Sequence, residues 1–248
     1  MAATALRLDQ WLVVHGYAET RTRARWLIES GQVWVRGQPC RKPSLALPDG
    51  HQVEIHGEGL PYVSRGGLKL EGALQTFGID VTGVVALDIG ASTGGFVDCL
   101  LQRGAQRVYA LDVGVGQLAP RLCEDARVIT LEGRNVRTFQ AAELPEAVEL
   151  ITVDVSFISL RLVLPILPPF LRPHGRVVAL VKPQFEVGVK QVGRGGIVRD
   201  PHRQELALQR VMSIAEGVGF HVLQIADASG SRASGNQETF IDLGWAAE

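Results

Sequence analysis

The chain has 248 residues, of which 46% are hydrophobic and 21% charged, and its formal net charge is -1. This is enough for one α/β domain with a sizeable core plus a small accessory domain, and it excludes a chain that binds polyanions through overall charge. Cys40, Cys99 and Cys123 lie far apart without C-x-x-C spacing, so neither a disulfide framework nor a metal site is expected, and reduced thiols point to a cytoplasmic protein.

The first residues lack a basic-then-apolar signal region. Leu6 to Val14 reads as a short amphipathic helix. Thr20 caps a second helix through Glu29, with Ala24, Leu27 and Ile28 as its apolar stripe and Gly31 as its stop. Arg21 and Arg25 stand one turn apart on its exposed face. Two short alternating strands follow, at 32–35 and 52–55, joined by a Pro/Gly-rich loop. Across residues 1–45, Arg7, Arg21, Arg23, Arg25, Arg36, Arg41 and Lys42 face only Asp9, Glu19 and Glu29, a local excess of four positive charges that suits a polyanion. The runs Arg7-Leu8-Asp9-x-x-Leu12, Thr20-Arg21-x-Arg23-Ala24-x-x-Leu27-Ile28 and Gly31-x-Val33-x-Val35-x-Gly37 resemble the small RNA-binding domain named after ribosomal protein S-four. That family usually has Asn before the last glycine, where this chain has Arg36. Arg7, Arg21, Arg23 and Lys42, together with Arg65 further on, are the candidate RNA contacts.

Leu60 to Gly67 reads as a linker whose glycines permit a bend, and Lys69 follows in the first turn of the next helix. Strands are then legible at 84–89, 107–113, 127–131, 148–155, 175–182, 219–227 and 238–245, with helices in most of the gaps. Asp200 caps and Pro201 opens a helix to about Glu216. The most apolar segment, 150–171, is interrupted by Asp154, Arg161 and three prolines and does not read as a membrane span. Alternating strands and helices predict an α/β fold, a Rossmann-like doubly wound and mostly parallel seven-stranded sheet. The last two strands are separated by a loop and can form an antiparallel edge.

The run Asp88-Ile89-Gly90-Ala91-Ser92-Thr93-Gly94-Gly95-Phe96 directly follows an apolar strand. A strand, a glycine turn and a helix place backbone N–H groups where the polar end of a ligand sits. The G-x-x-x-G-G spacing differs from the dinucleotide fingerprint, and no Walker lysine is present. Asp112, with Val113 after it, ends the second strand 24 residues beyond Asp88, where a Rossmann fold puts the carboxylate that receives ribose hydroxyls. Asn135 follows the third strand, within reach of an adenine. The run from Asp88 to Phe96 looks like the S-adenosylmethionine-binding turn of a Rossmann-type methyltransferase, and that resemblance implies S-adenosylmethionine as the ligand.

Asp154 and Lys182 end two parallel strands, Glu238 opens the last strand, and Lys69 lies on the linker helix. Open α/β sheets place their ligand crevice at those strand ends. Residues Arg7 to Trp245 are similar to the TlyA-type, hemolysin A-like ribosomal RNA 2′-O-methyltransferases, which join an S-four-like domain to an FtsJ-like methyltransferase domain. The most specific matches are Ser64-Arg65-Gly66-x-x-Lys69, Asp112-Val113-Gly114-x-Gly116-Gln117, Asp154-Val155-Ser156-Phe157-Ile158-Ser159, Val181-Lys182-Pro183-Gln184-Phe185-Glu186 and Ser234-Gly235-Asn236-x-Glu238. The resemblance implies a catalytic tetrad of Lys69, Asp154, Lys182 and Glu238. It also implies a small α+β S-four-like domain over 1–59, a linker over 60–67 and a Rossmann methyltransferase domain over 68–248. The implied substrate is ribosomal RNA or a ribosomal subunit, with a cytidine as the target. A ribose hydroxyl is a poor nucleophile, so the protein must orient it and stabilise its growing charge. Lys182, held between Asp154 and Glu238, is expected to do this with Lys69 assisting. The family's hemolysin label raises a membrane-active alternative, but no membrane-active stretch is visible. A small-molecule methyltransferase would not need the arginine-rich first domain, and a non-catalytic RNA binder would not need the tetrad.

Overall fold

The structure is a computed structural model describing residues 5–18, 20–48, 50, 52–57, 59–188, 191–228 and 235–246. Glu19 and Ser234, named above, lie outside the described residues. The chain divides into two compact units, Met1–Arg65 and Gly66–Glu248.

In the first unit the chain runs β1 (Leu6–Arg7), α1 (Leu8–Val14), α2 (Arg21–Glu29), β2 (Val33–Val35), β3 (Gln38–Pro39), β4 (Ala46–Leu47) and β5 (Val53–Ile55). The helix expected from Leu6 starts at Leu8. Leu6 and Arg7 are extended instead, because they pair with Leu47 and Ala46. The loop expected between two strands thus supplies two further short strands. Thr20 caps α2 as expected, its hydroxyl accepting from Arg23 N at 3.2 Å. Leu8, Trp11, Leu12, Ala24, Leu27, Ile28, Val33 and Leu47 form the core, each large apolar side chain contributing about 1.5–3 kcal/mol.

The second unit begins with α3, which starts at Arg65 and ends at Phe77, followed by β6 (Val85–Ile89), α4 (Gly95–Gln102), β7 (Arg107–Asp112), α5 (Pro120–Cys123), β8 (Val128–Glu132), β9 (Val148–Val153), β10 (Leu171–Val181), α6 (Pro183–Glu186), α7 (Pro201–Val218), β11 (Phe220–Asp227) and β12 (Thr239–Trp245). One seven-stranded sheet has the order β11-β12-β10-β9-β6-β7-β8. Strands β10 to β8 are parallel, and β12 runs antiparallel to both of its neighbours. The apolar runs of the central strands fit burial on both faces; all five residues of β6 are buried. Between β8 and β9, and between β9 and β10, the gaps hold 3₁₀ turns. In the second of these gaps Pro165, Pro168 and Pro169 prevent a continuous α-helix. Strand β10 starts earlier than expected and carries a register break between Leu171 and Arg176, with His174 at φ +61. Among the described residues no helix is long and apolar enough to cross a membrane.

Candidate active site

The glycine turn sits where β6 meets α4. Gly90 N donates to Leu111 O at 2.8 Å and Asp154 N to Ile89 O at 2.9 Å, so the ends of three neighbouring strands are tied together. Gly90 has φ +87, and a Cβ there would lie 2.6 Å from the Asp154 carbonyl oxygen, so only glycine fits. Ser92, also left-handed at φ +47, donates its N–H to Asp112 Oδ2 at 2.8 Å. Gly94 starts α4 without a side-chain cap, which leaves the first-turn N–H groups available to an anionic ligand group. Ala91 and Phe96 are buried, Phe96 against Phe240.

A cleft of about 550 Å³ opens beside this turn. Of the residues expected to bind the cofactor, Gly90, Ser92, Asp112, Val113, Asn135 and Asp154 line it. Asp88, Ala91, Thr93, Gly94, Gly95 and Phe96 do not; they shape the turn behind it. Asp112 accepts backbone N–H bonds on both oxygens, from Ser92 and from Gly114 at 2.7 Å, yet a carboxylate has lone pairs to spare for ribose hydroxyls. Asn135 Oδ1 accepts from Arg137 N, forming an Asx turn.

The tetrad resolves into two ion pairs. Lys182 Nζ lies 2.6 Å from Asp154 Oδ1 and donates to Ser156 Oγ at 3.0 Å. Asp154 Oδ1 is off the line of hydrogen bonding to the ammonium, so the contact is an ion pair first. Lys69 Nζ lies 2.5 Å from Glu238 Oε2. The expectation that Glu238 would hold Lys182 is therefore corrected: its carboxylate is taken by Lys69, reaching in from α3. The pairs stay neighbours because Val181 pairs with Thr239, which puts Lys182 and Glu238 at the next register position outward.

Sequence reasoning assigned no role to Phe157, Glu186 or Ser156. Phe157 lines the cleft at φ +64, is 92% exposed and leans on Phe185 with ring centroids 5.4 Å apart. A bulky residue held left-handed and bare is strained, and such strain gathers at functional sites. Glu186 is buried and fixes this loop, accepting from Ser159 Oγ at 2.5 Å and Leu160 N at 2.8 Å. Burial raises its carboxyl above the usual range, against those two bonds and the Arg161 charge. The signal for these residues was their place beside Asp154 and Lys182 in the two matching runs.

Asp88 is buried under the turn. Thr152 Oγ1 donates to its Oδ1 at 2.7 Å, while Oδ2 has no partner. Burial pushes this carboxyl up to about 7; the Thr152 bond opposes the rise, and the charges of Asp154 and Asp112 add to it. Asp112 and Asp154 put two carboxylates on the cleft wall, which favours a cationic ligand. The Asp112 carboxylate on the cleft wall and the uncapped start of α4 fit S-adenosylmethionine, the first accepting from ribose hydroxyls and the second receiving the carboxylate.

In the first unit, Arg7, Arg21 and Arg25 converge on Asp9, at 3.0, 2.9 and 3.4 Å. Burial would raise the Asp9 carboxyl, but the Arg7 and Arg21 hydrogen bonds and charges outweigh it and hold it at about 2. The expected RNA contacts Arg7 and Arg21 are thus brought together, with Arg25 added. Lys42 precedes Pro43, whose carbonyl accepts from Asp9 N at 3.1 Å. Arg23 and Arg65 lie elsewhere in this unit, Arg23 reaching Tyr62 O at 3.5 Å and Arg65 facing Glu29 at 3.9 Å.

A mostly parallel sheet with an antiparallel β12 inside its edge, a glycine turn after the central strand and an acid ending the next strand define a Rossmann-type methyltransferase. Residues 62–245 match the family model described as FtsJ-like methyltransferase, and residues 6–53 match the S4 domain. The chain belongs to the FtsJ-like methyltransferase family, with an S4 domain ahead of it. It is 43% identical over 249 residues to the Bacillus subtilis protein YqxC, designated an rRNA methyltransferase, covering 100% of this chain and 89% of that protein. It is also 43% identical to the Mycobacterium tuberculosis 16S/23S rRNA (cytidine-2′-O)-methyltransferase TlyA, covering 97% of this chain and 90% of the relative. A solved Streptococcus thermophilus structure with a hemolysin designation aligns at 41% identity and a TM-score of 0.78, over 100% of this chain and 90% of that one.

Proposed function

We propose that this chain methylates the ribose 2′-hydroxyl of a cytidine in ribosomal RNA, using S-adenosylmethionine. The observation that carries the reading is the pair of lysine–carboxylate contacts at the ends of β9, β10 and β12, beside a cleft suited to a cationic nucleoside. The named activity of the Mycobacterium tuberculosis relative supports it.

Bound in the cleft, S-adenosylmethionine supplies a methyl group already activated by its sulfonium. Asp112 and Asn135 would hold the nucleoside part, and the α4 start the carboxylate. The chain's own work is then positioning and electrostatics. Asp154 and Ser156 fix the Lys182 ammonium, which stabilises the negative charge that grows on the 2′-oxygen as the hydroxyl proton passes to solvent water. Glu238 holds Lys69 as a second cation near that oxygen. Two cations and two anions leave the tetrad neutral, so its field acts locally on the reacting atom. Phe157 offers a bare aromatic face to the target base.

Residues 1–59 serve as the RNA-binding domain, 60–67 as its linker and 68–248 as the methyltransferase domain. Arg7, Arg21, Arg23, Lys42 and Arg65 contact phosphate, and the protein works in the cytoplasm on ribosomal RNA or ribosomal subunits. The test is transfer of labelled methyl to ribosomal RNA, followed by alkaline digestion. A 2′-O-methyl group leaves a labelled, alkali-resistant dinucleotide; label confined to alkali-sensitive mononucleotides would refute the reading.

A further inference from the structure

The second unit holds a turn with no role in the account above. Residues Gly193 to Arg199 read Gly-Arg-Gly-Gly-Ile-Val-Arg. Gly193 N donates to Ile197 O at 3.0 Å and Gly196 N to Gly193 O at 3.1 Å. Gly195 and Gly196 are both left-handed, at φ +78 and +76, which lets the chain reverse with Arg194 at the tip.

This turn is anchored. Asn236 is 9% exposed and uses both ends of its amide on it: Oδ1 accepts from Val198 N at 2.9 Å, and Nδ2 donates to Gly196 O at 2.9 Å. Ile197 packs where a Cβ on Gly235 would be, and Val198 is buried with Val187 and Ala207. Asn236, which holds the turn, lies two residues before Glu238, within about 7 Å of chain from the tetrad.

Among the described residues the turn's arginines are unpaired. Elsewhere in this unit most arginines face a carboxylate, as Arg103 does Glu71, Arg107 does Glu146 and Arg176 does Asp242. Arg194 and Arg199 are exposed and, among the described residues, have no ion-pair partner. The nearest carboxylate in sequence, Asp200, is taken by Arg203 and by His202 N. Two free guanidiniums on a preorganised turn can meet an anion without breaking a pair and with little ordering cost. The neutral tetrad and a chain of net charge -1 offer a polyanion no general attraction, so cations must be supplied locally.

We propose that the Gly193–Arg199 turn is a second RNA-binding element, in which Arg194 and Arg199 grip backbone phosphates flanking the target nucleotide while Asn236 holds the turn in place. This rests on the reading of the protein as an RNA methyltransferase. The test compares the full-length protein with the double variant Arg194→Ala/Arg199→Ala in binding a ribosomal RNA transcript over a salt series. Removing two phosphate contacts should flatten the log–log salt slope by about 1.5 and weaken binding on the order of tenfold. Affinity for S-adenosylmethionine should not change, and Arg194→Lys/Arg199→Lys should restore the slope. An unchanged slope in the alanine variant would overturn the proposal. A wild-type protein that binds the transcript but never methylates it would instead count against the assigned reaction, and the slope comparison would still decide the role of the turn.

Discussion

Replacing Lys182 by alanine tests the assigned chemistry most directly. Its side chain is only 11% exposed, so solvent screens it little. A full unit charge about 4 Å from an ammonium interacts by about 4 kcal/mol at an effective dielectric near 20. The 2′-oxygen is only partly charged in the transition state, and Asp154, 2.6 Å from Lys182, offsets some of the field. About 2–3 kcal/mol then remains, a loss of rate on the order of 100-fold. Lys182→Arg should not restore the rate, because a planar fork cannot replace a point charge seated between Asp154 Oδ1 and Ser156 Oγ. The assay is single-turnover methylation of ribosomal RNA at saturating S-adenosylmethionine, with both ligand affinities measured alongside. Near-normal turnover in Lys182→Ala would refute the electrostatic role of the tetrad.

Three further outcomes are expected. Asp112→Ala should weaken S-adenosylmethionine binding at least tenfold by calorimetry and leave RNA affinity intact, because its carboxylate both lines the cleft and ties down Ser92 and Gly114; unchanged cofactor affinity would remove Asp112 from the site. Asp88, raised to about 7, favours the folded form fully below its usual 3.8, and that contribution is lost as pH rises through 7. The melting temperature of the ligand-free protein should therefore fall between about pH 3.8 and 7 and level off above that, and Asp88→Asn should flatten the fall; identical profiles would contradict the assignment. Asp9, held at about 2, stabilises the first unit above about pH 3.8 and ceases to as pH falls toward 2. Asp9→Asn should cost about 2 kcal/mol at neutral pH, a large share for so small a core, and an unchanged denaturation midpoint would refute this.

The parallel sheet was legible because its strands are continuous apolar runs ending in polar residues, as Val85 to Asp88 and Ile151 to Asp154 are. The α7 cap was legible because Asp200-Pro201 carries its own local chemistry. Less could be read where a partner decides the conformation. Leu6 and Arg7 continue the apolar pattern of α1, and only pairing with β4 makes them a strand. Asp9 sits on a helix beside arginines and reads as a solvated charge, yet it is fully buried. The four tetrad residues could be picked out as strand-end charges, but their pairing could not, since which lysine reaches Glu238 depends on the course of α3. Phe157 reads as an ordinary core aromatic; its backbone sign and exposure exist only in the folded loop.

The placement of β12 bears on how the enzyme comes into being. Its strand neighbours, β10 and β11, both precede it in the chain, so it has to slot between segments that are already made. Glu238 reaches Lys69 across a separation of 169 residues, a long loop to close. During synthesis the cofactor cleft, built from β6 to β9, can take shape while the lysine of α3 still awaits its carboxylate. The pairing of Lys69 with Glu238 is thus among the last contacts the chain can complete.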